Sequence, residues 1–175
     1  MTPPLRNPRP RSRSRLRSTA GFTISDVLIA MVILSLSMAV LVPRLTQSKR
    51  SATSTAIGND LRTFAAAFDT YAQEHGSFPA EADPGLVPTD MGERLNAPAW
   101  LRLTPIGGRY NWDNNQTHYG VKYRAVIQIS STDGAPVTVD VELWEAIDRA
   151  IDDGNLSTGL FRLGAEDEPI YIVAI

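Results

Sequence analysis

Cysteine is absent from the 175 residues, which removes disulfides, thiolate nucleophiles and cysteine-based zinc sites together. Histidine is nearly so. His75 and His118 are the only two; they are not at helical metal spacing and lie in no H-E-x-x-H pattern, so surface or helix-cap roles are expected for both. No G-x-S-x-G elbow offers a serine nucleophile. Gly107-Gly108 has the spacing of neither G-x-G-x-x-G nor the P-loop and reads as a turn. With these constellations missing, the chain is not expected to be an enzyme.

Acidic residues are missing from the first 20 positions, which hold six arginines: Arg6, Arg9, Arg11, Arg13, Arg15 and Arg17. The other 155 residues carry eleven Lys and Arg against nineteen Asp and Glu, a net charge of −8 beneath an overall −2. Basic flanks resist translocation, so the arginine-rich end is expected on the cytoplasmic side of a membrane and the acidic remainder outside. A nucleic-acid-binding arm is the rival reading of "RPRSRSRLR", and the apolar run that follows immediately speaks against it. Pro3, Pro4, Pro8 and Pro10 argue against a folded leader.

From Phe22 to Val42 there is no glycine, proline or basic residue. At ~1.5 Å per residue this run spans roughly 30 Å as a helix, the thickness of a bilayer's hydrocarbon core. A cleavable secretory signal has a shorter apolar core followed by small residues. Here the small residues, Ala20 and Gly21, come first. A cut at Gly21 would remove the arginines and leave the apolar run on the mature chain. The run also contains a carboxylate, Asp26, and an ionised acid deep in lipid costs roughly 2.5–3.5 kcal/mol, less near the interface. Either it is hydrated at the headgroups or something neutralises it.

The segment "GFTISDVLIAMVILSLSMAVLVP" resembles the amino-terminal segment of type IV pilins and type II secretion pseudopilins: a glycine, a phenylalanine, an acid fifth after the cut, then about twenty apolar positions. Asp26 stands where that family usually has glutamate, and Ser25 where an aliphatic residue is common. The resemblance implies cleavage after Gly21 by a prepilin peptidase, N-methylation of Phe22, and an assembly role for Asp26, whose charge meets the new amino terminus of a neighbouring subunit. Pro43 falls where many members have proline. "DLRTFAAAFDTYAQEHGSFP" is also similar to the helix end of major type II secretion pseudopilins; beyond it no counterpart to their "DPWG" stretch is present.

Past Pro43 a helical period persists, with Ile57, Leu61, Phe64, Phe68 and Tyr71 on one stripe. A kink at Pro43 is expected rather than an end, since the pattern resumes at once. The stop is expected at His75-Gly76. Residues 76–118 read as a long irregular connection with a short strand at Arg109 to Trp112. Alternation from Tyr119 to Ser130 predicts one strand with a single buried face. Asp133-Gly134 makes a turn. "DVELWEAIDRAIDDG" reads as an amphipathic helix capped by Asp140 and ended by Gly154, with Leu143, Trp144, Ile147 and Ile151 inward. "GLFRL" and "IYIVAI" close the chain as a hairpin. Trp100, Tyr110, Trp112, Tyr119 and Trp144 are expected in the core rather than on a sugar-binding surface. "IDDGN" and "EDEP" carry the oxygen ligands a hard cation such as calcium takes, but neither has EF-hand spacing, so both read as solvated turns and no cofactor is expected.

The expected architecture is therefore α+β: a basic leader (1–21), the transmembrane and assembly half of a long helix (22–43), its amphipathic half (44–76), and a small antiparallel sheet domain (77–175) facing the periplasm or exterior. The resemblance implies a single-pass inner-membrane subunit that joins copies of itself and minor pilins or pseudopilins in a filament, through prepilin peptidase and an inner-membrane assembly platform. The other candidate is a single-span envelope protein whose outer domain binds a ligand or protein without polymerising.

Overall fold

The computed structural model describes Gly21 and residues 23–175. It is an α+β protein with a long amino-terminal helix, α1 (Ile24–His75), and a small antiparallel sheet packed on it. Two compact units part between Val42 and Pro43. In the first unit α1 is apolar and unburied; all eight of its buried residues, from Ser54 to Tyr71, belong to the second. The helical hydrogen-bond pattern runs on through Pro43, so proline does not end the helix.

In the second unit the stripe forms as its spacing requires: Ile57, Leu61, Phe64, Phe68 and Tyr71 are all buried. Gly76 ends the helix in the left-handed conformation (φ 73°), with its N–H donating to Ala72 O at 2.8 Å. The four-stranded sheet has the order β1 (Arg109–Asn114), β4 (Ala125–Ser130), β6 (Pro169–Ala174), β5 (Phe161–Leu163), antiparallel throughout. Its inner face presents Tyr110, Trp112, Ala125, Ile127, Ile129 and Tyr171 to the helix stripe. Aromatic edges lock this layer, with Phe64 meeting Trp100 and Tyr110 at ring-centroid distances of 5.0 Å each.

Two short helices close the core. The first, α2 (Ala97–Leu101), is capped by Asn96 and started by Pro98; it inserts Trp100, whose indole N–H donates to Leu86 O at 2.7 Å. The irregular stretch foreseen over 76–118 thus contains a helix that five residues are too few to betray by period, and its strand extends two residues further, to Asn114. The second, α3 (Val141–Ile151), forms as expected, with the Asp140 carboxylate accepting from Leu143 N–H at 3.1 Å. The closing hairpin is β5–β6, and Thr132 and Ala135 bracket the Asp133-Gly134 turn.

One expectation is overturned. Residues 119–130 are not one strand with a single buried face. Tyr119 and Gly120 take positive φ (47° and 79°) and reverse the chain, pairing β2 (Thr117–His118) with β3 (Val121–Lys122) as a separate hairpin. Only 125–130 joins the main sheet, and all six of its residues are buried. The alternation reflected two different environments: the inner core on one side, and on the other Val126 packed with Tyr123, Ile170 and Ile172. Val121, within that alternation, is 47% exposed.

Candidate assembly segment and polar sheet face

The helix begins with a reciprocal capping pair. The Thr23 N–H donates to Asp26 Oδ2 at 3.0 Å, and the Asp26 N–H donates to Thr23 Oγ1 at 3.3 Å. Thr23 is the residue before the first turn and Asp26 the third within it, the spacing of a capping box with aspartate in place of the usual glutamate. The carboxylate also sits at the positive end of the helix dipole. Asp26 therefore has a local role that the sequence reading did not include: it satisfies a donor that an apolar environment would otherwise leave unpaired. The signal was the T-x-x-D spacing itself.

Gly21 is exposed, and a Cβ there would meet nothing within 4 Å among the described residues. Phe22, the expected methylation position, and the leader over residues 1–20 lie outside the described residues.

From Val27 to Val42 the apolar side chains are all uncovered, from 41% exposure at Val27 to 66% at Leu36. The polar members of this stretch are quiet. Ser35 and Ser37 donate their hydroxyls to Met31 O and Ile33 O, each at 2.8 Å, leaving no unpaired hydroxyl hydrogen on the surface. The helix is long and apolar enough to cross a membrane. A contiguous apolar surface of this size is rare on soluble monomers and is of the kind that lipid or other protein covers.

Beside the Val126 cluster, part of the outer face of the sheet is polar where a core would be apolar. Asp113, His118, Gln128, Ser130 and Glu168 are all buried there. His118 Nε2 lies 3.3 Å from Asp113 Oδ2, while its Nδ1 accepts from Ala165 N–H at 3.2 Å. Glu168 accepts from the Gln128 amide at 2.7 Å and Ser131 N–H at 2.6 Å. With Glu81 and Asn111 these groups line a cleft of about 420 Å³. Two expectations change accordingly. His118 is a buried partner of an acid rather than a surface group, because the β2–β3 hairpin folds it onto the sheet. "EDEP" is only partly a solvated turn: Glu166 and Asp167 are exposed at φ 61° and 59°, but Glu168 is buried in the hydrogen bonds just described. His75 does sit at a helix end, its Nδ1 3.0 Å from Tyr71 O.

The expected core aromatics Trp100, Tyr110, Trp112 and Trp144 are buried, and Tyr119 is exposed. In "IDDGN", Asp152 and Asp153 are exposed and form turns, the Asp153 carboxylate accepting from Asn155 N–H at 2.9 Å and Thr158 Oγ1 at 2.6 Å. Four residues back on α3, Asp148 is fully buried. Comparisons with protein-family models, curated proteins and solved structures found no match.

Proposed function

We propose that this chain is a prepilin-like subunit of a type IV pilus or type II secretion filament. It enters the inner membrane through the apolar part of α1, with its arginine-rich leader inside and its sheet domain in the periplasm. Prepilin peptidase cuts after Gly21 and methylates Phe22. The subunit then polymerises with copies of itself and with minor subunits at an inner-membrane platform. Its work is structural; the catalysis is done to it.

The observation that carries this reading is the uncovered apolar surface of residues 27–42, with its one acid confined to the first helical turn. A simple anchor needs the surface and could use the acid only as a helix cap, for which an uncharged side chain would serve. In a polymer the same surface packs against neighbouring helices by van der Waals contact. Asp26 would exchange water for the amino group created at Phe22, which reduces the cost of removing the carboxylate from solvent.

The lack of cysteine supplies a clean test. Single cysteines placed at positions 28 to 41, treated in intact membranes with a bifunctional thiol reagent, should yield ladders of dimers and higher oligomers when the peptidase is present. Monomer at every position would count against polymerisation. It would favour the single-span envelope protein, for which the polar cleft around Asp113 and His118 would then be the natural ligand site.

A further inference from the structure

The cleft on the outer face of the sheet has charge of one sign. Glu81, Asp113, Glu166 and Glu168 line it, and no lysine or arginine does. Asp113 and Glu168 are buried, and taking carboxylates out of water with no cation beside them is costly. Both have bonding capacity in reserve, since an ionised carboxylate accepts about four hydrogen bonds. Asp113 receives one from the Asn111 amide at 2.7 Å, and Glu168 receives those of Gln128 and Ser131.

Two buried atoms of the cleft make no hydrogen bond: His118 Nε2 and Asn111 Oδ1. They ask opposite things of a guest. His118 Nδ1 accepts from Ala165 N–H, which leaves the ring proton on Nε2. Nε2 therefore needs an acceptor, whereas Asn111 Oδ1 needs a donor. The His118 side chain is 5% exposed, and Asp113 Oδ2, 3.3 Å from Nε2, forms no hydrogen bond with it. A donor and an acceptor thus stand side by side at that spacing.

We propose that the cleft binds the free amino terminus of a partner polypeptide. An α-ammonium brings three N–H donors, for Asp113, Glu168 and Asn111 Oδ1. The carbonyl oxygen of the same residue, about 3 Å from that nitrogen by covalent geometry, accepts from His118 Nε2–H. A guanidinium or a lysine ammonium supplies donors alone, and a metal ion supplies no acceptor. The cleft's ligand atoms also do not converge on an ion: no three of its carboxylate and imidazole atoms lie within 4.8 Å of one another. Its volume of about 420 Å³ is that of a ligand site, roughly 300–1,000 Å³. Glu81 and Glu166, exposed at the rim, attract the positive terminus.

Histidine ring resonances of the full-length protein in detergent test this, with each probe in excess over the protein's own termini. Only two histidines contribute, and His75→Gln assigns them. Near neutral pH, triglycine amide should move the His118 signals saturably and leave those of His75 in place. N-acetyl-triglycine amide, which lacks only the ammonium, should move neither. Asp113→Asn should weaken binding about ten-fold or more. Because that position is buried, the exposed double variant Glu81→Gln/Glu166→Gln serves beside it, with an expected loss of about two-fold or more. Glycinamide, which offers the ammonium and one carbonyl but no chain, should bind more weakly than the tripeptide. The proposal would be overturned by the lack of a saturable His118 shift with triglycine amide or by an equal shift with the acetylated peptide. Glycinamide binding as tightly as the tripeptide would overturn the assignment to a polypeptide. The site would serve a filament subunit and a single-span protein alike, so its failure leaves the filament reading untouched.

Discussion

Phe68 on α1 lies flat against Trp112 on β1, ring centroids 3.6 Å apart and planes within 5° of parallel. Both are fully buried, so one stacked pair joins the helix stripe to the inner face of the sheet. Phe68→Ala removes the stack and leaves a cavity, at a cost of about 3–5 kcal/mol. Chemical denaturation followed by tryptophan fluorescence should show that loss, and Phe68→Leu should lose less.

The Tyr110 hydroxyl donates to Asp60 Oδ2 at 2.9 Å, and Arg102 reaches the same oxygen. Burial first, then the Asp60 charge, holds the Tyr110 proton far above the ordinary value of 10. The folded state thus binds this proton more tightly than the unfolded chain. The resulting stability is complete below pH 10 and is lost as pH rises beyond it towards the folded value. Tyr110→Phe has no such proton, so its stability should fall less steeply above pH 10. At neutral pH it should be weaker by about 1–3 kcal/mol because Asp60 loses a buried donor. Unfolding midpoints at pH 7, 10 and 11 check both halves.

Asp140 caps α3 through Leu143 N–H. Asp140→Ala should cost about 1 kcal/mol and Asp140→Asn much less, since an amide oxygen still accepts. Helix content and denaturation midpoint report the difference.

Two glycines separate backbone strain from collision. Gly76 has φ 73° with open space where a Cβ would sit, whereas Gly107 has φ 81° with Pro136 O only 2.1 Å from that position. Gly76→Ala should cost about 1–2 kcal/mol for the left-handed conformation alone. Gly107→Ala adds a backbone clash and should destabilise visibly more, as thermal unfolding would record.

Asp26 caps its own helix, and in the proposed filament it would also meet a neighbouring amino group; one substitution divides the two. Asparagine retains an oxygen for the Thr23 N–H but carries no charge. Asp26→Asn should therefore insert and start its helix normally while filament yield falls, whereas a role limited to capping predicts parental yield. Membrane fractionation and sheared-filament recovery measure the two separately.

Much of this fold is written in periodicity. The stripe from Ile57 to Tyr71, the α3 cap at Asp140 and the turn at Asp133-Gly134 each follow from residues within a few positions of one another, which is where pattern is informative. What escaped depends on long-range contact. His118 is buried because a hairpin turns at Tyr119-Gly120, and Glu168 because Gln128 and Ser131, some forty residues earlier, come to meet it. Asp148 sat on the inward side of an amphipathic helix beside Trp144 and Ile147, a polar residue at an apolar position. That conflict was visible in the sequence, though the hydrogen-bond partner of Asp148, Asp152, lies past the helix end.

The proposed polymer depends on an amino group that exists only after processing. Intact-mass and terminal-peptide spectrometry of the protein extracted from its native membrane tests this directly. The account predicts a chain that begins with N-methylated Phe22 and has lost residues 1–21. A mature product that still carries its six arginines and an unprocessed Met1 would contradict it, because Asp26 would then have no such partner.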